Sequence, residues 1–132
     1  MELEKIIERR KDNLNRLDIA KMDIEYREIE LRKNLEYIKD VLSFIKKLKK
    51  IKYCFNYIKA NWYYNSEYEN EIEETEKRIE DYSNLYEKRI LERKILKLKL
   101  KQAQREFTKK QKSLIRFEKK YFNEEVQKNG KR

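Results

Sequence analysis

Proline and histidine are both missing from this chain, and glycine and cysteine occur once each, as Gly130 and Cys54. Without histidine there is no imidazole general base, no His-bearing nucleophile triad, no HExxH zinc site and no Glu-x-x-His di-iron bundle motif. A single glycine at position 130 excludes a glycine-rich phosphate loop. One cysteine excludes an intramolecular disulfide and a cysteine metal cluster, and its setting in "YCFNYI" predicts a small buried apolar residue. The near absence of turn punctuation argues against sheets and for an all-α chain. No run of uncharged apolar residues is long enough for a membrane span and no signal peptide opens the sequence, so a soluble, cytoplasmic protein is expected. The expectation that follows is no enzyme, no cofactor, no metal and no small-molecule substrate.

What the sequence has is charge: 45% Asp, Glu, Lys and Arg against 39% apolar residues, with a net charge of +10. That is too little apolar material for a thick globular core, yet regularly spaced Ile and Leu with 12% aromatics argue against disorder. Steps of seven from Leu3 reach Arg10, Leu17, Ile24, Leu31, Ile38 and Ile45. A companion row runs Ile7, Leu14, Lys21, Glu28, Leu35 and Leu42. From Ile72 the same step reaches Ile79, Tyr86, Arg93, Leu100, Phe107, Leu114 and Tyr121, with Tyr68, Tyr82, Leu96, Ala103 and Phe117 as companions. Both are the seam of a helix packed lengthwise on another helix.

Between the rows the spacing 45, 48, 51, 55, 58, 62 suggests a slip near residues 46–52. Asn61, Asn65 and Ser66 are the best turn candidates, and Ser66 with Glu69 has capping-box spacing. The expected fold is a single hairpin domain over about 1–128, with helix 1 about 2–61, a turn about 62–66, helix 2 about 67–127 and a flexible basic tail 129–132. A three-helix bundle broken near 46–52 is the alternative. Six lysines and no acid in residues 42–60 would face eight acids in residues 67–81, which favours the antiparallel register.

A two-helix hairpin buries one stripe per helix, and each helix here has more apolar positions than that. Tyr26, Ile29, Tyr37, Val41 and Phe44 on helix 1, with Leu91, Ile95 and Leu98 on helix 2, fall at a similar height of the antiparallel pair. They predict a second apolar face that takes a partner protein or a second copy. The segment "ILKLKLKQ" at 95–102 alternates like a strand, but the heptad rows run through it. On a helix Leu96 and Leu100 join the seam while Ile95 and Leu98 join the second face.

The other positive signal is basic. Residues 88–116 hold twelve Lys or Arg against Glu92 and Glu106, while residues 14–42 opposite are near balance. Lys94, Lys97, Lys99, Lys101, Arg105, Lys109, Lys112 and Arg116 are therefore candidates for holding phosphates or an acidic partner. Carboxylates such as Glu71 with Glu74, or Glu73 with Glu76, read as an ion-pairing face. The aromatics Tyr53, Phe55, Tyr57, Trp62, Tyr63 and Tyr64 read as closing the end of the bundle, with a contact surface at the hairpin tip as the alternative.

Two long basic coiled-coil helices in one small polypeptide resemble the stalk proteins of flagellar and type III export machinery, and the opening "LEKIIERRKDNLNRL" is similar in pattern to theirs. The likeness lies in apolar spacing and extends to rotary ATPase stalks, phage accessory proteins and small ribonucleoprotein subunits. The leading expectation is a non-enzymatic coiled-coil adaptor or assembly subunit. Nucleic-acid backbone binding through residues 88–116 comes second, and a stalk-like role third.

Overall fold

The computed structural model describes residues 2–61 and 66–130, with side chains described for 2–60 and 67–122. The turn residues 62–65, the aromatics Trp62, Tyr63 and Tyr64, and the Ser66 side chain of the capping box lie outside the described residues. The chain is all-α: α1 (Glu2–Asn61) and α2 (Ser66–Gly130) pack against each other as a helical hairpin, with no strand among the described residues. Each helix opens on acids, Glu2 and Glu4 in α1 and Glu67 and Glu69 in α2, and α1 ends near Lys59. These charges complement the helix dipoles. Among the described residues no helix is long and apolar enough to cross a membrane.

The residues withdrawn from solvent define the seam. In α1 the main line is Asn13, Leu17, Ala20, Ile24, Arg27, Leu31, Asn34, Ile38, Val41, Ile45, Leu48, Lys52 and Phe55. Its steps alternate between four and three without interruption, which is a heptad seam. One expected row is therefore present, but its companion is the row of Asn13, Ala20, Arg27, Asn34, Val41 and Leu48. The row of Ile7, Leu14, Leu35 and Leu42 is exposed. α1 also runs unbroken through residues 46–52, so the three-helix alternative is excluded. The apparent slip disappears because Lys52 and Lys59 occupy seam positions and their ammonium groups reach Glu76 and Glu69, at 3.1 and 2.8 Å. In α2 the line of Tyr68, Ile72, Thr75, Ile79, Tyr82, Tyr86, Arg89, Arg93, Leu96, Leu100, Ala103, Phe107, Lys110, Leu114 and Phe117 keeps the same alternation.

Two compact units divide the chain. One is Glu30–Leu96, the other Met1–Ile29 with Lys97–Arg132. In the first, Ile38, Val41 and Ile45 of α1 and Ile72 of α2 are buried, each contributing about 1.5–3 kcal/mol by leaving water. Buried Asn34 donates from Nδ2 to the Arg89 carbonyl at 3.1 Å, and Arg93 donates from Nη1 to the Leu31 carbonyl at 3.2 Å. Thr75, also buried, returns its hydroxyl to the Glu71 carbonyl of its own helix. In the second unit the buried residues, among those described, are the alanines Ala20 and Ala103. Half-buried Leu17, Ile24, Leu100, Phe107, Leu114 and Phe117 surround the same seam. Arg10 Nε pairs with Glu118 Oε1 at 2.6 Å there, and its guanidinium lies over the Phe122 ring.

Candidate functional site

With seam positions assigned as a and d, the remaining side chains acquire defined directions. Positions c and f point away from the packed partner helix, and e and g flank the seam. On α1, Ile19, Met22, Tyr26 and Ile29 occupy successive c and f positions and are 63%, 66%, 57% and 44% exposed. They form a 3-4-3 apolar line on the outward face of α1 in the unit that holds the chain ends. On α2, Leu91 and Ile95 in the Glu30–Leu96 unit hold f and c positions, and Leu98, the next f position of the same helix, lies in the other unit; all three are exposed.

The expected partner face is thus not a single surface. Tyr37 and Phe44 sit at g positions of α1, flanking the seam. Phe44 stacks on Tyr82 with ring centroids 5.6 Å apart, and the Arg89 guanidinium lies 5.2 Å from the Tyr37 ring. Beside them an open groove is lined by Phe44, Lys47, Leu48, Ile51, Arg78, Asp81 and Tyr82. Val41 leaves the candidate set altogether, because it holds a d position and is buried in the seam. Ile19 and Met22, which extend the outward line of α1, are more exposed than any residue expected at the interface except Leu98.

The basic candidates separate in the same way. Arg105, Lys109, Lys112 and Arg116 take successive f and c positions on the outward face of α2, and Lys119 extends them. Lys119 lay just past the basic window, but continuing the c and f steps from Arg116 reaches it. Lys94 and Lys101 hold neighbouring b positions, whereas Lys97 and Lys99 fall at e and g, on opposite flanks of the seam. Lys101, Gln104, Arg105, Thr108 and Lys109 line a shallow open groove. Lys109 lies 3.7 Å from Glu106 with both side chains well exposed, so that pair is weak. Residues 97–122 carry ten bases against two acids, and residues 2–29 of the same unit carry seven against eight, so this face stays positive. Like charges three and four apart on a helix cost a few tenths of a kcal/mol each, roughly 0.2–0.5, so the stripe does not serve the stability of α2.

The other candidates are not gathered into one site. Cys54 is exposed rather than buried, because it falls at a c position of α1, on the side away from the seam. Phe55 packs on Tyr68 at 6.0 Å, while Tyr53 and Tyr57 face solvent. Glu76 is taken by Lys52, and the groove lined by Asn70, Glu73, Glu74, Lys77 and Glu80 is open to solvent. Among the described residues no group of Cys, Asp or Glu side chains is arranged to hold a metal ion. The arrangement offers surfaces: one apolar line on each helix and one basic line on α2. No family model matches the chain, and no curated protein or solved structure is detectably similar to it.

Proposed function

We propose that this chain is a non-enzymatic coiled-coil adaptor or assembly subunit of a cytoplasmic complex, which docks a further helix along the outward apolar line of α1. The observation that carries this is the heptad spacing of Ile19, Met22, Tyr26 and Ile29 on the side of α1 opposite a seam that is already complete. An exposed apolar line with that spacing fits the ridge of another helix. Each side chain would contribute about 1.5–3 kcal/mol on burial, so four of them are comparable to an association cost of about 4–15 kcal/mol and flanking groups add to the balance. A stalk-like place in an export or rotary machine is one form such docking takes.

The test is a photo-crosslinking residue placed singly at Met22, at Ile29 and, as a control, at outward but polar Glu36, in the cell of origin. Protein adducts at positions 22 and 29 and none at 36 support the reading. Absence of adducts at both apolar positions rejects it.

A second reading is favoured by a different observation, the outward line of Arg105, Lys109, Lys112, Arg116 and Lys119. Five cations at heptad spacing along one helix face suit the backbone of DNA or RNA, held without sequence preference. A salt series decides it. Changing Arg105, Lys109, Lys112 and Arg116 to Gln should reduce the slope of log K against log salt by about 3–4 for duplex DNA. Affinity indifferent to salt rejects this second reading.

A further inference from the structure

We infer that the helix docked on the outward face of α1 is α2 of a second copy of this chain, lying antiparallel to it. The inference rests on the docking reading above and names its partner. Each helix carries an outward c and f line, and residues 8–26 of α1 and 91–109 of α2 are complementary along it. Aligned antiparallel, Ile19 of one copy meets Leu98 of the other, Met22 meets Ile95 and Tyr26 meets Leu91. Continuing outward along the same positions, Asn15 meets Gln102, Asp12 meets Arg105 and Glu8 meets Lys109. Toward the start of α1 the apolar line thus ends at one amide layer and passes into acid-base layers on both helices at once, and at its other end Ile29 meets Lys88.

The flanking positions agree with the same alignment. In an antiparallel pair, residues beside the core face their equivalents on the other helix. Here that places Asp18 against Lys101 and Glu25 against Lys94 on one flank, and Asp23 against Lys99 on the other. Asp18, Glu25, Lys94 and Lys101 are all exposed. Three like-charged meetings remain: Glu30 with Glu92 on the Asp23 flank, where Glu92 is already bound to Arg89 of its own helix at 2.8 Å, and Lys5 with Lys112 and Glu36 with Asp81 farther along the outward lines, beyond the apolar layers.

Around the apolar layers, competing arrangements do worse on charge. Two α1 faces laid antiparallel bring Glu25 onto Glu25 and Asp12 onto Glu36. Two α2 faces aligned to bring Ile95 onto Leu98 set Lys94 against Lys101 and Lys88 against Arg105. A parallel α1–α2 pair sets Asp18 against Glu92 and Asp23 against Glu87. Like charges placed opposite one another select against all three, so charge chooses partner and direction while the apolar layers supply the attraction. The contact joins two different patches, so it is heterologous.

Charge reversal tests this on the full chain. One variant carries Asp12→Lys, Asp18→Lys and Glu25→Lys; the other carries Lys94→Glu, Lys101→Glu and Arg105→Glu. All six positions are exposed, and circular dichroism checks that both variants stay helical. In sedimentation velocity the natural chain should self-associate, and each variant alone should associate at least tenfold more weakly. An equimolar mixture, or a chain with all six changes, should recover the natural behaviour, because acid again meets base. A natural chain that stays monomeric at its highest soluble concentration overturns the inference, as does a mixture that fails to recover association. If the crosslinker at Met22 captures a different protein while the purified chain is monomeric, the inference falls and the docking reading stands. No adduct at all removes both.

Discussion

At the scale of single residues, the most informative position is Asn34. It is buried at a d position, it spends Nδ2 on the Arg89 carbonyl, and its Oδ1 has no hydrogen-bond partner; neither does Arg89 Nε. A buried polar group left unpaired costs about 1–3 kcal/mol, so this layer is a poor source of stability. It does tie the two helices at one height, since Arg93 returns a bond to the Leu31 carbonyl close by. A polar seam residue that lowers stability while specifying register is a known property of coiled coils. Replacing Asn34 with Leu should therefore raise the unfolding free energy by about 1 kcal/mol in urea titrations. A loss of that size instead would show that the bond to Arg89 stabilises the hairpin. Ala103 makes the opposite case. It is 5% exposed in the other unit, where Ala20 is buried too, and Ala103→Leu should cost about 1–3 kcal/mol by overpacking, read from the urea midpoint.

Among the elements, α1 shows where reading the chain succeeds and where it stops. The row Leu17, Ile24, Leu31, Ile38, Ile45 was visible because every member is aliphatic, and the α2 rows were visible because every member except Arg93 is aliphatic or aromatic. The companion row of α1 was not, because Asn13, Ala20, Arg27 and Asn34 occupy it, while Ile7, Leu14, Leu35 and Leu42 sit one position away on a more apolar line. What makes Asn34 and Arg27 acceptable at the seam is on other side chains and on the partner helix: the Arg89 carbonyl for one, and Asp23, 3.4 Å from the Arg27 guanidinium, for the other. Asp23 stands four residues from Arg27, a spacing the sequence does offer, whereas the Arg89 carbonyl cannot be read from spacing. The supposed break failed for the same reason, since Lys52 and Lys59 look like solvent residues until Glu76 and Glu69 are placed beside them. An unbroken α1 makes a definite prediction at Lys50, which is exposed at an f position. Lys50→Pro removes a helix hydrogen bond and clashes with the preceding turn, so it should cost about 3 kcal/mol or more in unfolding free energy. A loop at 46–52 would absorb the same change with little loss, so a small effect would contradict a continuous helix.

For the molecule as a whole, the question is what the hairpin leaves unsatisfied. Each unit closes its seam, but among the described residues nineteen large apolar side chains remain exposed, and those on the outward lines of α1 and α2 recur at heptad spacing. Scattered exposed apolar residues are ordinary, whereas a periodic line is surface prepared for another helix. If copies of the chain supply that helix, folding and association are linked, and stability depends on protein concentration. The thermal midpoint should then rise by roughly 3–6 °C for each tenfold increase in concentration, followed by circular dichroism across a dilution series. Added salt should reduce this dependence, because exposed acid-base pairs between copies are screened while the apolar layers are not. The charge-reversed chains should melt at a midpoint that ignores concentration, and their equimolar mixture should regain the slope. A natural chain whose midpoint is flat over the whole series would mean that the outward lines are covered by a different protein or by none. The exposed rows of α1 and α2 would then have to be explained without self-association.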